Sequence, residues 1–263
     1  MYYYLYDTYL QEPKYEKILD HLKTRLLDFE IQGKNEKLTL LKNVDELIND
    51  EVKRGVDTLV VVGNDKTFLK VVDAVVRNNL TLGIVPVGQG NNIASLLGIG
   101  NEDEACEILS ARKVVNLDVG KANGQYFFNK ISVNKNLERI SVERGAIKIT
   151  PRHDCGLIEI NNFYVPENGD QIDENLATLG VQDGILDLLF FKKNKKRSWF
   201  AGKKNEEQIM DSLFEGDLFK IKSFEYLPVL LDGYKVQKTP VEVMIEKQKL
   251  KVIVGKNRLS QIN

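Results

Sequence analysis

Cysteine is scarce in this chain: Cys106 and Cys155 are the only two in 263 residues, and histidine occurs only as His21 and His153. Two cysteines cannot build a disulfide framework, and neither histidine stands at metal-ligand spacing. A Cys/His zinc centre is therefore excluded, and a reducing compartment is expected. An excess of charge is missing too. The 37 Lys+Arg stand against 38 Asp+Glu, a formal net charge of -1, whereas a protein that coats nucleic acid needs a basic surplus against the phosphates. No apolar run approaches the ~18–20 residues that cross a bilayer. The start, Met1 to Asp7, carries neither the basic segment nor the apolar core of a secretory signal, so a cytoplasmic location is expected. Apolar residues make up 43% of the chain, enough for a real core, and the length suits one large or two modest domains at roughly 150 residues each.

The pattern changes near residue 114. Before it, short apolar runs alternate with helical stretches: strand Tyr2–Tyr6, helix 14–31, strand Leu38–Leu41, helix Val44–Arg54, strand Leu59–Val62, helix Thr67–Asn78, strand Leu82–Pro86, then helices Asn91–Leu97 and Asp103–Arg112. Leu59-Val-Val-Val62 is continuous and β-branched, as expected of a strand covered on both faces of a parallel sheet. Strand–helix alternation with short loops predicts an open, mostly parallel α/β domain. After it, strand-like segments dominate: Gln125–Val133, Gly145–Thr150, Gly156–Ile160, Ile185–Phe191, Phe219–Ile221, Val241–Ile245 and Leu250–Val254. Many short strands between turn residues predict an antiparallel β-sandwich. The expected domains are 1–114 and 115–263, with the last residues returning to the first.

Two glycine loops carry the sharpest chemistry. Gly63-Asn64-Asp65-Lys66-Thr67 and Gly88-Gln89-Gly90-Asn91-Asn92 each follow a buried strand and open a helix. Open α/β sheets place ligands at the carboxyl ends of their strands, and a helix N-terminus suits phosphate. Glycine lets backbone approach a polyanion closely, and Asp65 could hold a magnesium ion or its water shell. Read more plainly, Asp65, Thr67 and Asn92 are competent N-caps of ordinary strand-to-helix turns. Neither loop matches a Walker A motif or a dinucleotide fingerprint.

The order strand–GNDKT–helix–strand–PVGQGNNIA–helix resembles the diacylglycerol kinase catalytic-domain family, whose members, bacterial lipid kinases and sphingosine kinases among them, show GGDGT and then P-x-G-T/S-x-N-D-x-A. Further similarities follow in family order: Asn116-Leu-Asp-Val-Gly120 with Tyr126-Phe-Phe-Asn129, Asp183-Gly-Ile-Leu-Asp187, and Asp232-Gly233 before the final strands. The resemblance implies an α/β nucleotide domain followed by a β-sandwich, and transfer of the γ-phosphate of ATP to a lipid hydroxyl with magnesium. Carried over by position, Gly63, Asn64, Asp65, Lys66, Thr67, Gly88, Gln89, Gly90 and Asn91 would bind ATP. Asp183, with the carbonyls of Gly180 and Ile185, would hold a structural magnesium. Asp65 and Asp232 would be the catalytic carboxylates, with Asp232 and Gly233 facing the cleft between the domains.

Three positions depart from the family pattern. Asn64 and Lys66 replace glycines, although Asn tolerates left-handed backbone and Lys66 adds a cation. Tyr234 stands at the position of the expected general base, and a phenol of ordinary pKa ~10 is a poor base. Tyr6-Asp7-Thr8-Tyr9 stands where an N-P-x-x-G segment is usual. Besides the kinase, a catalytically impaired nucleotide- or lipid-binding protein acting as sensor or partner is therefore in view. An NAD-kinase-like enzyme is disfavoured by the PVGQGNNIA segment.

Between Lys192 and Lys204, Lys195, Lys196 and Arg197 precede Trp199 with no acidic residue nearby. Basic residues beside aromatics suit an anionic membrane surface, and a solvated loop is the plainer alternative. The expected partners are thus a nucleotide, a lipid acceptor, an anionic inner-membrane surface touched peripherally and a second copy of the chain, with no nucleic acid.

Overall fold

The computed structural model describes residues 1–39, 43–165, 182–193, 208–258 and 262. The chain divides into two compact units, one of Met1–Asp118 with Lys247 onward, the other centred on Val119–Tyr164 and the described residues up to Glu246.

The first unit runs β1 (Tyr2–Tyr6), two short 3-10 turns (Thr8–Gln11 and Pro13–Tyr15), α1 (Glu16–Asp28), β2 (Lys34–Lys37), α2 (Val44–Lys53), β3 (Thr58–Gly63), α3 (Asp65–Arg77), β4 (Thr81–Pro86), α4 (Asn92–Leu96), α5 (Glu102–Ala111) and most of β5 (Val114–Ala122). The strands lie parallel in the order β2-β1-β3-β4, and Lys251 and Val252, near the end of the chain, pair parallel with Thr81 and Leu82. Every residue of β3 and β4 is buried, as a sheet covered on both faces requires. Helix α3 buries Phe68, Val71, Val72 and Val75, one helical face. Gly83 is needed for close packing, because a Cβ there would lie 2.6 Å from Leu109 Cδ2 on α5.

The expected strand Leu38–Leu41 is found instead at Lys34–Lys37, in register with Tyr3–Tyr6. It is a charged, largely exposed edge strand, the composition that keeps an edge from pairing with other chains, and so it carries no apolar signal. Residues 40 and 41 lie outside the described residues.

The second unit is antiparallel: β6 (Gln125–Phe127), β7 (Lys130–Val133), β8 (Ile140–Arg144), β9 (Ile147–Ile149), β10 (Cys155–Asn161), β11 (Leu186–Lys193), β12 (Gln208–Gly216), β13 (Leu218–Ser223), β14 (Pro228–Leu231), β15 (Lys235–Lys238) and the first part of β16 (Val241–Ile253). One sheet has the order β12-β11-β10-β7-β14-β15, and a second layer pairs β16 with β13, β13 with β8, and β8 with β9. The core is filled by Phe127, Ile131, Ile158, Leu188, Phe219 and Val243 among others. The expected strand Gln125–Val133 breaks at Phe128–Asn129, whose N–H groups turn to the Asp232 carboxylate instead of a neighbouring strand. The expected strands Val241–Ile245 and Leu250–Val254 are one continuous strand, β16.

Candidate functional site

The first glycine loop is closed upon itself. Asn64 caps α3: its Oδ1 accepts the Lys66 N–H at 3.1 Å, while Thr67 Oγ1 accepts the Asn64 N–H at 3.2 Å. The Thr67 N–H donates to Asn64 O and the Asp65 N–H to Gly90 O, both at 2.9 Å. All four backbone N–H groups from 64 to 67 are thus consumed inside the protein. Thr67 Oγ1 in turn donates to the buried Asp7 carboxylate at 2.6 Å, with Lys70 Nζ at 3.8 Å from the same oxygen. Of the expected contact residues here, only the exposed Lys66 side chain is left pointing to solvent.

The second loop is open. Gly88 and Gly90 have φ of 86° and 80°, left-handed backbone that glycine adopts without strain. None of the N–H groups of Gly88, Gln89, Gly90 and Asn91 finds an acceptor among the described residues. The loop is held in shape from behind: Asn91 Nδ2 donates to Gly88 O at 2.9 Å, Asn64 Nδ2 to Gln89 O at 3.2 Å, and the Tyr9 hydroxyl to Val87 O at 2.6 Å. Asn91 Oδ1 is buried without a partner. A Cβ on Gly88 would lie 3.2 Å from both Tyr9 and Tyr15. Beside the loop opens a hollow of about 400 Å³ bordered by Tyr15, Ile18, Val87, Gln89, Asn91 and Glu102. Successive free N–H groups around a concave turn are what an anion needs.

Asp65 joins the two loops. Its Oδ2 and Oδ1 accept the N–H groups of Asn92 and Ile93, each at 2.9 Å. Burial pushes its carboxyl up to about 6, and the two N–H donors pull against that shift. It is a strut between the loops whose carboxyl is raised by burial.

Asp232 belongs to the second unit. It stands at φ 47° in an Asp-Gly hairpin turn between β14 and β15, a sequence signal for such turns. Its carboxylate accepts the N–H groups of Phe128, Asn129 and Lys130 at 2.8, 2.8 and 3.0 Å. Burial pushes it up to about 6 against those donors. The geometry is that of a carboxylate stitching one turn to another. Tyr234 is half-buried on the same hairpin, with Lys235 Nζ 5.8 Å from its ring.

Asp183 is exposed and its Oδ1 accepts the Ile185 N–H at 3.0 Å; Gly180 lies outside the described residues. Nearby, Asp187 is buried and stands directly opposite Glu215 across β11 and β12. Burial, then the charges of Asp183 and Glu215, push its carboxyl up to about 7. Among the described residues no three acidic, histidine or cysteine side chains are grouped to hold a metal ion. Lys195, Lys196, Arg197 and Trp199 lie outside the described residues. No helix among the described residues is long and apolar enough to cross a membrane. A second hollow, about 210 Å³, opens between the 149–155 stretch and β11 and β12 and contains none of the expected site residues.

Sequence reasoning offered Asp7 or Thr8 as a polar contact in place of the missing N-P-x-x-G segment, and missed Tyr9 and Tyr15 beside the second loop. Asp7 directly follows β1, and the carboxyl ends of neighbouring parallel strands are where ligands collect. That position was the available signal.

The model of the diacylglycerol kinase catalytic domain matches residues 10–122. A diacylglycerol kinase of Bacillus subtilis (strain 168) is 40% identical over 83 residues, which cover 29% of this chain and 26% of that protein. A Staphylococcus carnosus (strain TM300) protein whose name assigns it to the lipid kinases is 25% identical over 256 residues, covering 81% of this chain and 82% of that one. Among solved structures, a Bacillus anthracis diacylglycerol kinase superposes with a TM-score of 0.74 at 18% identity over 97% of both chains, a likeness of fold. The matched residues cover both glycine loops and most of the α/β unit, and over them the chain is similar to diacylglycerol kinase catalytic domains.

Proposed function

We propose that the chain moves the γ-phosphate of ATP to the hydroxyl of a diacylglycerol-like lipid. The observation that carries this reading is the run of unpartnered N–H groups at Gly88–Asn91 beside a hollow of about 400 Å³. These N–H groups would hold phosphate oxygens, and the exposed Lys66 ammonium on the neighbouring loop would supply counter-charge. Phosphoryl transfer needs mainly positioning and charge neutralisation, and a backbone nest supplies both. We assign proton transfer to Asp65. A carboxyl near 6 is mostly ionised at neutral pH yet basic enough to take a hydroxyl proton. Asp232, fully engaged by three N–H donors, is assigned a positioning role. A divalent cation would add charge neutralisation at the phosphates. The described residues do not complete a cage for one, and no step is assigned to it.

Two observations favour a second reading, nucleotide binding without catalysis: the GNDKT loop spends its amides inside the protein, and Tyr234 stands at the position of the expected general base. The test is incubation of pure protein with labelled ATP, magnesium and diacylglycerol in mixed micelles, alongside ATP-induced thermal stabilisation. The kinase reading expects labelled lipid, lost in Asp65→Asn while the ATP stabilisation persists. Stabilisation without labelled lipid in the wild type selects the binding reading. Loss of both overturns the site.

A further inference from the structure

The turn between β13 and β14 displays two aromatic side chains to solvent. Phe224 is fully exposed, at 103% of its reference area, and Tyr226 is 80% exposed. Large aromatics left in water on a folded surface mark an interaction site. The turn is not a loose end. Thr239, itself buried, donates its hydroxyl to Glu225 O at 2.8 Å and accepts the Leu227 N–H at 2.9 Å. The Thr239 N–H donates to Leu227 O at 2.9 Å, and the Leu227 side chain enters the core. The aromatics are therefore presented on a fixed base.

The apolar surface continues onto the adjoining hairpin. Pro228 stands opposite Lys238, and Leu230 opposite Val236, which is 62% exposed. Cross-strand partners share a face, so one outward face of β14–β15 carries Pro228, Leu230, Val236 and Lys238 beside the aromatic tip.

Charge selects the occupant. From Lys222 to Lys238 the acidic groups are already engaged: Glu225 pairs with Arg139, and Asp232 is buried on backbone N–H groups. Lys222 pairs with Glu143, Lys235 lies over the Tyr234 ring, and Lys238 has no ion-pair partner among the described residues. The patch is thus apolar at its tip and basic at its flank. Phe immersed, Tyr at the boundary and Lys reaching headgroups is the order of side chains that an anionic bilayer surface accepts. Lysines along the edge strand β15 also discourage strand pairing with another copy.

We propose that the Phe224–Tyr226 turn and the outward face of β14–β15 dock this unit on an anionic lipid surface. The inference stands apart from phosphotransfer, and its test contains no nucleotide. The full chain is sedimented with vesicles of phosphatidylcholine holding about one third phosphatidylglycerol, and with phosphatidylcholine alone. Phe224→Ser with Tyr226→Ser is expected to lower partition onto the anionic vesicles about tenfold or more, with the thermal midpoint preserved. Lys238→Glu, on the same outward face, weakens the preference for anionic over neutral vesicles. As an independent readout, Phe224→Trp shifts its emission to the blue on vesicle addition beyond the change seen in the parent chain. Partition unchanged in the aromatic variant, or no such blue shift, overturns the proposal. So does conversion of a dimer to a monomer by that variant without a change in partition, which would assign the patch to a second copy.

Discussion

The two glycine loops of the α/β unit follow the same plan in sequence, buried strand, glycine, polar residues, helix, and end with opposite surfaces. The first loop turns every backbone N–H from 64 to 67 inward, to its own cap and to Gly90. The loop at 88–91 leaves its N–H groups outward. The difference lies in side chains. Asn64 and Thr67 can each accept an N–H, and they form a capping box, which satisfies the donors that a bare glycine loop would offer to a phosphate. Gly88 and Gly90 have no side chain that could do the same. The lesson is that a phosphate-loop pattern is a statement about unsatisfied donors, which cap side chains and neighbouring carbonyls together can consume.

The largest expected effect comes from removing the strut between the loops. Asp65→Ala orphans the Asn92 and Ile93 N–H groups and should cost about 3 kcal/mol in denaturant unfolding. A loss below about 1 kcal/mol would show that the loops hold their shapes independently. The strut also titrates. Because its folded pKa, about 6, lies above the ordinary 3.8, its stabilising contribution is complete below pH ~4 and is lost as pH rises through ~6. Relative to Asp65→Asn, the wild type should gain about 2 kcal/mol between pH 7 and pH 4, and parallel pH profiles for the two proteins would contradict the assignment.

Breaking the open loop should be milder for stability and severe for ligand. Gly90→Ala forces a side chain into φ 80°, which costs about 1–2 kcal/mol. ATP-induced stabilisation should disappear with it. Asn64→Ala removes the cap of the closed loop and one of the bonds that shape the open one, costs about 1 kcal/mol, and should weaken the ATP response far less than Gly90→Ala. Equal loss of that response in both variants would erase the distinction between the loops.

Much of this architecture was readable beforehand. Leu59–Val62 announced a strand buried on both faces because a continuous β-branched run has no polar side to expose. Both glycine loops were visible at its end and at the end of the next strand. What could not be read was where local polarity hid tertiary pairing. Lys34–Lys37 is a strand because Tyr3–Tyr6 offers it hydrogen bonds, and nothing in four charged or amide side chains says so. Likewise nothing in the Asp232-Gly233 pair says that its carboxylate accepts the amides of Phe128, Asn129 and Lys130. The raised pKa of Asp187 comes first from its burial, then from Asp183 and from Glu215 opposite it, and both the burial and the Glu215 contact are made by the fold.

By itself the sequence determined the two kinds of unit, the strand–loop–helix order and the places where ligand chemistry could occur, because hydrophobic period and glycine placement act over a few residues. Only the tertiary structure decided which amides stay free, which carboxylates are struts and which aromatics remain in water. Those outcomes depend on donors and acceptors brought together from distant segments, and a hydrogen bond is assigned only when both partners have arrived.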